Sequence, residues 1–447
     1  MGMPSTDADN TFEQLLQGLP ADIVTLAIEF KAFTRSRKIK SATELLRAVL
    51  MFAGLDMTER EVAADLLLTN PRLKRLSDQA VHKRLSGCEV WLKAILPKMI
   101  SLGELPVMSS GRRIIVVDGT AVRAPGDNKA SYRLHVAMDL VSLQLVNVEI
   151  TASKVGEKLK LLKIEPGSVY LADRGYCRRG DVDYVLKEGA DAIVRYNARG
   201  FPVCELTGEP INVVKRLSKI APGEEGTLAA AFRNDQGELK PVWIHYHRFS
   251  GVKAEAGRRR CRRTAQQSGY TPSEDTLMMN EFIMVLTTIA PSELDTEAVL
   301  GIYRCRWQIE LLIKRWKSLL LLEKLRARQN SSLCNIYLNG KLLYALLLER
   351  RCRRRLGQQW AQLDQQRDRT WWRLWKLMRQ EIGPMITGVS YWNTTDWKAA
   401  IKAITERSSN RKLQTIPIKV VTWLQRENSG AQPSVGSQPK DNAALAA

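Results

Sequence analysis

Residues 111–119 read GRRIIVVDG: two arginines, the apolar run Ile114–Val117, then Asp118 and a glycine. Residues 168–175, SVYLADRG, repeat the pattern with a second short apolar run ending in Asp173. Apolar runs of this length bounded by turn residues mark buried strands. An aspartate at the end of such a strand is costly to ionise unless it is paired or binds a cation. A single one is often just a turn starter or a helix cap. Two of them in the same setting weaken that plain reading.

The elements around these runs follow an interpretable order. Strands are expected at Ile114–Val122, Tyr132–Asp139 and Gln144–Thr151, joined by short polar connections as in a meander. A short helix is expected at Glu157–Lys163, then the strand ending at Asp173, a helix at Arg179–Glu188 and a strand at Asp191–Tyr196. This β-β-β-α-β-α-β order is that of an α/β ribonuclease H-like core, in which the first and fourth strands are neighbours. Asp118 and Asp173 would then lie side by side.

A third acid comes from residues 301–320, GIYRCRWQIELLIKRWKSLL. On a helix turning by roughly 100° per residue, Tyr303, Arg306, Glu310 and Lys317 fall within a sector of about 60°. Ile302, Ile309, Leu312, Ile313, Trp316 and Leu320 form an apolar stripe opposite. An Arg–Glu pair at i,i+4 is commonly solvated helix decoration. Set beside two buried aspartates, the same face reads as a metal-binding acid next to a phosphate clamp.

These residues carry a family resemblance. The spacing Tyr303, Arg306, Glu310, Lys317 resembles the Tyr-Arg-Glu-Lys signature of the DDE transposases of bacterial insertion sequences. VVDGT and LADRGY resemble that family's first and second acid motifs. The likeness runs from about Lys38 to about Arg328. It implies a cut-and-paste transposase that binds terminal inverted repeats, cleaves the element's ends and joins them to target DNA. Asp118, Asp173 and Glu310 would be the catalytic acids and the ligands of Mg²⁺, with two ions expected and Mn²⁺ able to substitute. Such ions, about 3.5–4 Å apart, activate a nucleophile and relieve the leaving oxygen. Arg306 and Lys317 would hold a DNA phosphate, Tyr303 would donate a hydrogen bond to it, and Lys314 and Trp307 would contribute from the edge of the face. The partners implied are double-stranded DNA, as terminal repeats and as target, and a second copy of the chain in a homodimeric DNA complex.

Composition agrees. The net charge of +21 suits a polyanionic partner, though basic charge alone does not choose DNA. No apolar run approaches the roughly 18 residues of a membrane helix. The N-terminus lacks the basic flank and apolar core of a secretory signal. A cytoplasmic, nucleoid-associated protein is therefore expected. The seven cysteines are scattered, without a C-x-x-C pair, which argues against a disulfide framework or a zinc site. His245 and His247 alternate on one strand, with no third ligand evident, and are expected on an exposed strand face.

The flanks complete the organisation. Residues 1–104 are expected to form an N-terminal helical DNA-binding domain, with helix starts at Ala21, Ser41, Thr58 and Ser77. Ser41–Glu44 and Thr58–Glu61 have capping-box form. His82, Lys83 and Arg84 would be displayed together on a short helix that reads the terminal repeat, as in a helix-turn-helix; a plain helical bundle is the alternative. The catalytic core would take residues 105–200 and 281–330. Residues 201–280 would be a β-rich insertion, with strand-like runs PINVVKRL, TLAAAF and LKPVWIHY and a basic loop at Arg258–Arg263. Residues 331–427 would form a C-terminal helical region suited to self-association, its Trp371, Trp372 and Trp375 serving as core or interface anchors. A disordered tail is expected at 428–447. Two other functions fit these features less well: a metal-dependent nuclease without strand transfer, and an inactive or domesticated DNA-binding regulator.

Overall fold

The computed structural model describes residues 11–69, 75–101, 112–356, 371–388 and 416–424. The N-terminal region is helical, as its caps predict. Its helices are α1 (Phe12–Leu16), α2 (Ile23–Glu29), α3 (Ala42–Val49), α4 (Glu59–Thr69), α5 (Asp78–Leu85) and α6 (Glu89–Ser101), and a π-helical turn, Leu50–Gly54, prolongs α3. Ser41 Oγ accepts from the Glu44 N–H at 3.1 Å, and Ser77 Oγ from Ala80 at 3.3 Å. Thr58 and Glu61 form a full capping box: Thr58 Oγ1 accepts from Glu61 N–H at 3.2 Å, and Glu61 Oε2 from Thr58 N–H at 2.6 Å. These bonds satisfy amides that a helix start leaves without partners.

The strands are β1 (Ile114–Val122), β2 (Tyr132–Asp139), β3 (Leu145–Ala152), β4 (Val169–Ala172), β5 (Asp191–Arg195), β6 (Glu225–Arg233), β7 (Leu239–Arg248) and β8 (Phe282–Thr287). They form one sheet in the order β3-β2-β1-β4-β5-β8-β7-β6. β1 and β4 are parallel neighbours, with Val117 opposite Ala172. Asp118, within β1, and Asp173, just beyond β4, therefore stand side by side at the same level, as the element order predicts.

Several expectations change. The helix expected at Glu157–Lys163 is only a 3₁₀ turn, Leu159–Leu161. Leu159 and Leu162, three apart, are both buried, a spacing that suits the tighter helix. Helix α7 (Arg179–Lys187) follows β4 as expected. In the insertion, PINVVKRL supplies α8 (Val213–Leu217) rather than a strand, because Asn212 Oδ1 caps the N–H of Lys215. The Arg258–Arg263 stretch lies within α9 (Gly251–Gln267), not in a loop; Ala, Glu, Lys and Arg are good helix formers, and Cys261 and Ala265 bury one side. Residues 201–280 do contribute strands, yet β6 and β7 extend the core sheet through β8 instead of building their own. His245 is fully buried, not on an exposed face, and its Nδ1 lies 3.0 Å from the hydroxyls of both Thr227 and Thr296.

After α10 (Glu274–Met279) and β8, the expected single helix at 301–320 is two: α11 (Thr296–Cys305) and α12 (Trp307–Leu319). Arg306 forms the junction. Its N–H bonds back to the Tyr303 carbonyl at 3.1 Å, and its own carbonyl accepts from Ile309 at 3.2 Å. Both are i,i+3 bonds, the tight turn often found where a helix serves a site. The predicted stripe of Ile302, Ile309, Leu312, Ile313, Trp316 and Leu320 is buried throughout. The chain continues with α13 (Ser332–Leu356), α14 (Trp371–Thr387) and α15 (Ile418–Leu424).

The cores do not follow the expected division into domains. One core joins residues of α1–α6, one face of the sheet, α11–α12 and the C-terminal helices. A second core joins the other face to α7 and the insertion. The C-terminal helices hold the end of α12: Arg379 donates to the Leu319 carbonyl, and Lys341 Nζ to that of Leu320 at 2.5 Å. Lys341 is fully buried and also pairs with Asp56 of the N-terminal region at 2.5 Å. Cations at a helix C-terminus satisfy its last carbonyls and its dipole. Trp375 is buried in this core, and the Arg315 guanidinium stacks on the rings of Trp371 and Trp375. The 428–447 tail lies outside the described residues. No helix among them is long and apolar enough to cross a membrane.

Candidate active site

Alternation along the strands decides where the acids point. Ile114 and Val116 of β1 face the core shared with α12, while Ile115 and Val117 face the other. A period of two turns Asp118 toward α12. The same count through Leu171 and Ala172 sends Asp173 that way.

The junction between α11 and α12 meets them. The Tyr303 hydroxyl donates to Asp173 Oδ1 at 2.9 Å. Arg306 Nη1 lies 3.7 Å from Asp118 Oδ2, and its Nη2 bonds Glu310 Oε1. One guanidinium thus bridges the acid of β1 and the acid of α12, while the neighbouring phenol holds the acid after β4. All three predicted acids converge, together with Tyr303 and Arg306.

The electrostatics separate the two aspartates. Burial pushes the Asp118 carboxyl up to about 6; the Gly119 N–H and Arg306 oppose this, and the charges of Glu310 and Glu157 add to it. Asp173 moves the other way. Burial opposes its ionisation, but the Arg174 N–H, Arg306 and the Tyr303 hydroxyl together hold it below the usual carboxylate range. Burial, then Asp173, pushes the Tyr303 phenol well up, so it stays a donor.

The remaining predicted residues lie apart. Lys317 is half-buried 3.6 Å from Glu323, about 10 Å along the helix axis from Glu310 at 1.5 Å per residue. Lys314 and Trp307 are exposed on α12. His82, Lys83 and Arg84 stand on α5, but not as a free trio. His82 Nδ1 is 3.3 Å from Glu59 Oε1, and Arg84 donates to the Arg35 carbonyl at 2.7 Å. Arg84 and Lys83 line a cavity of about 340 Å³ with Lys31, Arg35, Arg37 and Lys38, a basic cluster the motif reading missed.

Two further features were not anticipated. A cleft of about 560 Å³ beside Asp173 is lined by Arg174, Arg195, Arg199 and Tyr270, with Arg260 reaching in from α9. Of its arginines only Arg260 belonged to the run singled out in the sequence; in that run Arg258 is spent on the buried Glu281. The second feature is Glu157, a fourth carboxylate close to Asp118. The glycine following each aspartate motif was the available signal for it.

The family profile described as Transposase DDE domain matches residues 109–344. This chain belongs to the DDE transposases. The transposase is 31% identical over 338 residues to the putative transposase InsL for insertion sequence element IS186A of Escherichia coli strain K12, covering 74% of this chain and 90% of the relative. It is 31% identical over 339 residues to the transposase for IS421 of Escherichia coli, covering 74% and 91%. A more distant relative, the transposase for IS231F of Bacillus thuringiensis subsp. israelensis, is 25% identical over 274 residues, 54% of this chain and 57% of that one.

The transposase is thus a metal-dependent enzyme acting on DNA, within a family that uses divalent ions. Among the described residues no three acidic, histidine or cysteine side chains already form a cage for an ion. The acids converge on Arg306 instead, whose charge occupies their centre. The donor set still fits a hard divalent cation, since it offers carboxylate oxygens without nitrogen or sulfur.

Proposed function

We propose that this transposase binds the terminal inverted repeats of an insertion sequence, cleaves the ends and joins them to target DNA at a Mg²⁺ centre built by Asp118, Asp173 and Glu310. The observation that carries the reading is the junction at Arg306, which brings Glu310 onto two aspartates placed by sheet register. When bound, the divalent ions supply Lewis acidity and a nucleophile at neutral pH, with Mn²⁺ able to replace Mg²⁺. Arg306 neutralises the acids while they await cations, then turns its fork to a DNA phosphate, for which its planar geometry suits two oxygens. Tyr303 orients Asp173. Lys317, further along α12, meets a phosphate of the bound end, with Lys314 and Trp307 at the rim.

The arginine-lined cleft beside Asp173 offers a path for the DNA backbone into the site, so the insertion serves the core by way of α9. The terminal repeat is read by the N-terminal helices, where Lys83 and the cluster of Arg35, Arg37 and Lys38 present cations, His82 and Arg84 being tied to Glu59 and Arg35. The C-terminal helices position α12 and offer a surface for a homodimer assembled on two ends. The protein then acts at the chromosome.

The decisive experiment incubates the protein with Mg²⁺ and DNA bearing the inverted repeats that flank its reading frame. Joined products with the repeat's 3′ end linked to target are expected. Cleavage without joining would leave a nuclease, and binding without cleavage a regulator. A paired comparison separates phosphate from base contacts. Lys317→Ala should weaken the complex with a cleaved end about equally for all sequences. Arg37→Ala combined with Lys83→Ala should alter preference among repeat variants, measured by competition binding at fixed salt. A changed sequence preference in Lys317→Ala would refute the assignment.

A further inference from the structure

We propose that Glu157 is a positioning residue of the catalytic centre that raises its affinity for divalent cations, acting through Asp118 and the backbone that carries both aspartates. The proposal rests on the reading above that Asp118, Asp173 and Glu310 hold the metal.

Glu157 follows β3 and reaches Gly119 within β1 and Gly175 beyond β4. A Cβ placed on Gly119 would stand 3.0 Å from Glu157 Cγ and Oε1, and one on Gly175 would collide outright with Oε2. Gly119 directly follows Asp118, and Gly175 comes two residues after Asp173. One carboxylate therefore fills the space that both acid motifs leave open by carrying glycine, and it touches the two acid-bearing segments at once.

Its surroundings hold it there. Arg133 of β2 donates from Nη1 to Glu157 Oε1 at 2.8 Å. Tyr176, one residue beyond Gly175, is fully buried, and its hydroxyl has no hydrogen-bond partner in the protein. The charges acting on that phenol include those of Glu157 and Asp118. An unmade phenol hydrogen bond near these carboxylates is a buried polar group without its acceptor. A neutral side chain of the same shape would fill the gap without repelling Asp118. The negative charge costs stability until cations arrive and then favours their binding.

The test uses the full chain without DNA and measures Mn²⁺ binding by electron paramagnetic resonance of the free ion. Glu157→Gln keeps the volume and an acceptor for Arg133 while removing the charge. It should weaken Mn²⁺ binding about tenfold, the usual scale for groups that support metal ligands, with no loss of thermal stability in EDTA. Glu157→Asp, which keeps the charge, should stay within about threefold of the parent on the same scale. Equal affinities for the Gln and Asp variants, or a Gln variant within about twofold of the parent, would overturn the proposal. Asp118→Asn run alongside should lose Mn²⁺ binding; if it binds like the parent, the three-acid reading fails and this proposal fails with it.

Discussion

Strand cleavage should fall by at least about a thousandfold when Asp118, Asp173 or Glu310 is replaced by alanine, a loss of roughly 4 kcal/mol in transition-state stabilisation. Binding to end DNA in EDTA should be nearly unchanged, because the acids sit at the chemistry and the cations lie on α9, α12 and the N-terminal helices. Gel-shift and cleavage assays on one labelled end measure both. An alanine variant that still cleaves within about tenfold of the parent would remove that residue from the metal centre.

The same site should show a trade between stability and activity at Asp118. Its carboxyl, ordinarily near 3.8, is held up at about 6 by burial in the folded, metal-free protein. Between those values the folded state keeps a proton that the unfolded chain has released. Stability from this group therefore falls as pH rises through the window, and the full cost stands above about pH 6. At about 1.4 kcal/mol per pH unit, the cost at neutral pH is about 3 kcal/mol. Asp118→Asn should stabilise the metal-free protein at pH 7.5 by about 2 kcal/mol while abolishing cleavage. The gain should vanish near pH 4, where both forms are neutral. Denaturant unfolding in EDTA at the two pH values decides it, and equal stability at pH 7.5 would show that Arg306 already compensates the charge.

Arg306→Met is expected to be the costliest change outside the acids. The arginine bridges Asp118 and Glu310 and also lowers Asp173. Removing one member of a buried charge cluster costs about 3–5 kcal/mol, because the others lose their counter-charge. Mg²⁺ offers a substitute charge. At a hundred times its dissociation constant an ion adds about 2.7 kcal/mol to the folded state. Melting of the Arg306→Met variant should therefore recover more with Mg²⁺ than that of the parent, in which the guanidinium competes for the same acids. An equal gain in the two proteins would mean that the guanidinium and the ion do not share the site.

The contrast between Glu310 and Glu157 shows what a linear chain reveals. Glu310 was legible because its helix writes a period: Tyr303, Arg306 and Lys317 recur on one side and the apolar stripe on the other. The break at Arg306 was not legible, since a single 3₁₀ turn leaves that period nearly intact. Glu157 had no period at all. Its partners, Arg133, Gly119 and Gly175, come from three other segments, and nothing local ties a carboxylate after β3 to a glycine within β1 and another beyond β4. The basic run Arg258–Arg263 failed in the opposite way. Its charge was conspicuous, but it was packing on Cys261 and Ala265 that fixed which side of the helix is buried and left Arg260 to line the cleft.

By itself the sequence determined the succession of β1 to β5 along the chain, the two aspartates that close matching apolar runs, the helical glutamate and the capped N-terminal helices. All of these rest on local signals, namely period-two and helical apolar patterns, turn residues and caps, which act over a few residues and need no distant partner. Tertiary structure alone decided that β6 and β7 extend the core sheet, that the N- and C-terminal helices share one core with α12, and that Arg306 sits among the acids with Glu157 beneath them. Those outcomes depend on burying apolar faces and pairing charges between segments distant along the chain, and the free energy of such contacts is set by which surfaces meet, a quantity no short stretch of chain encodes.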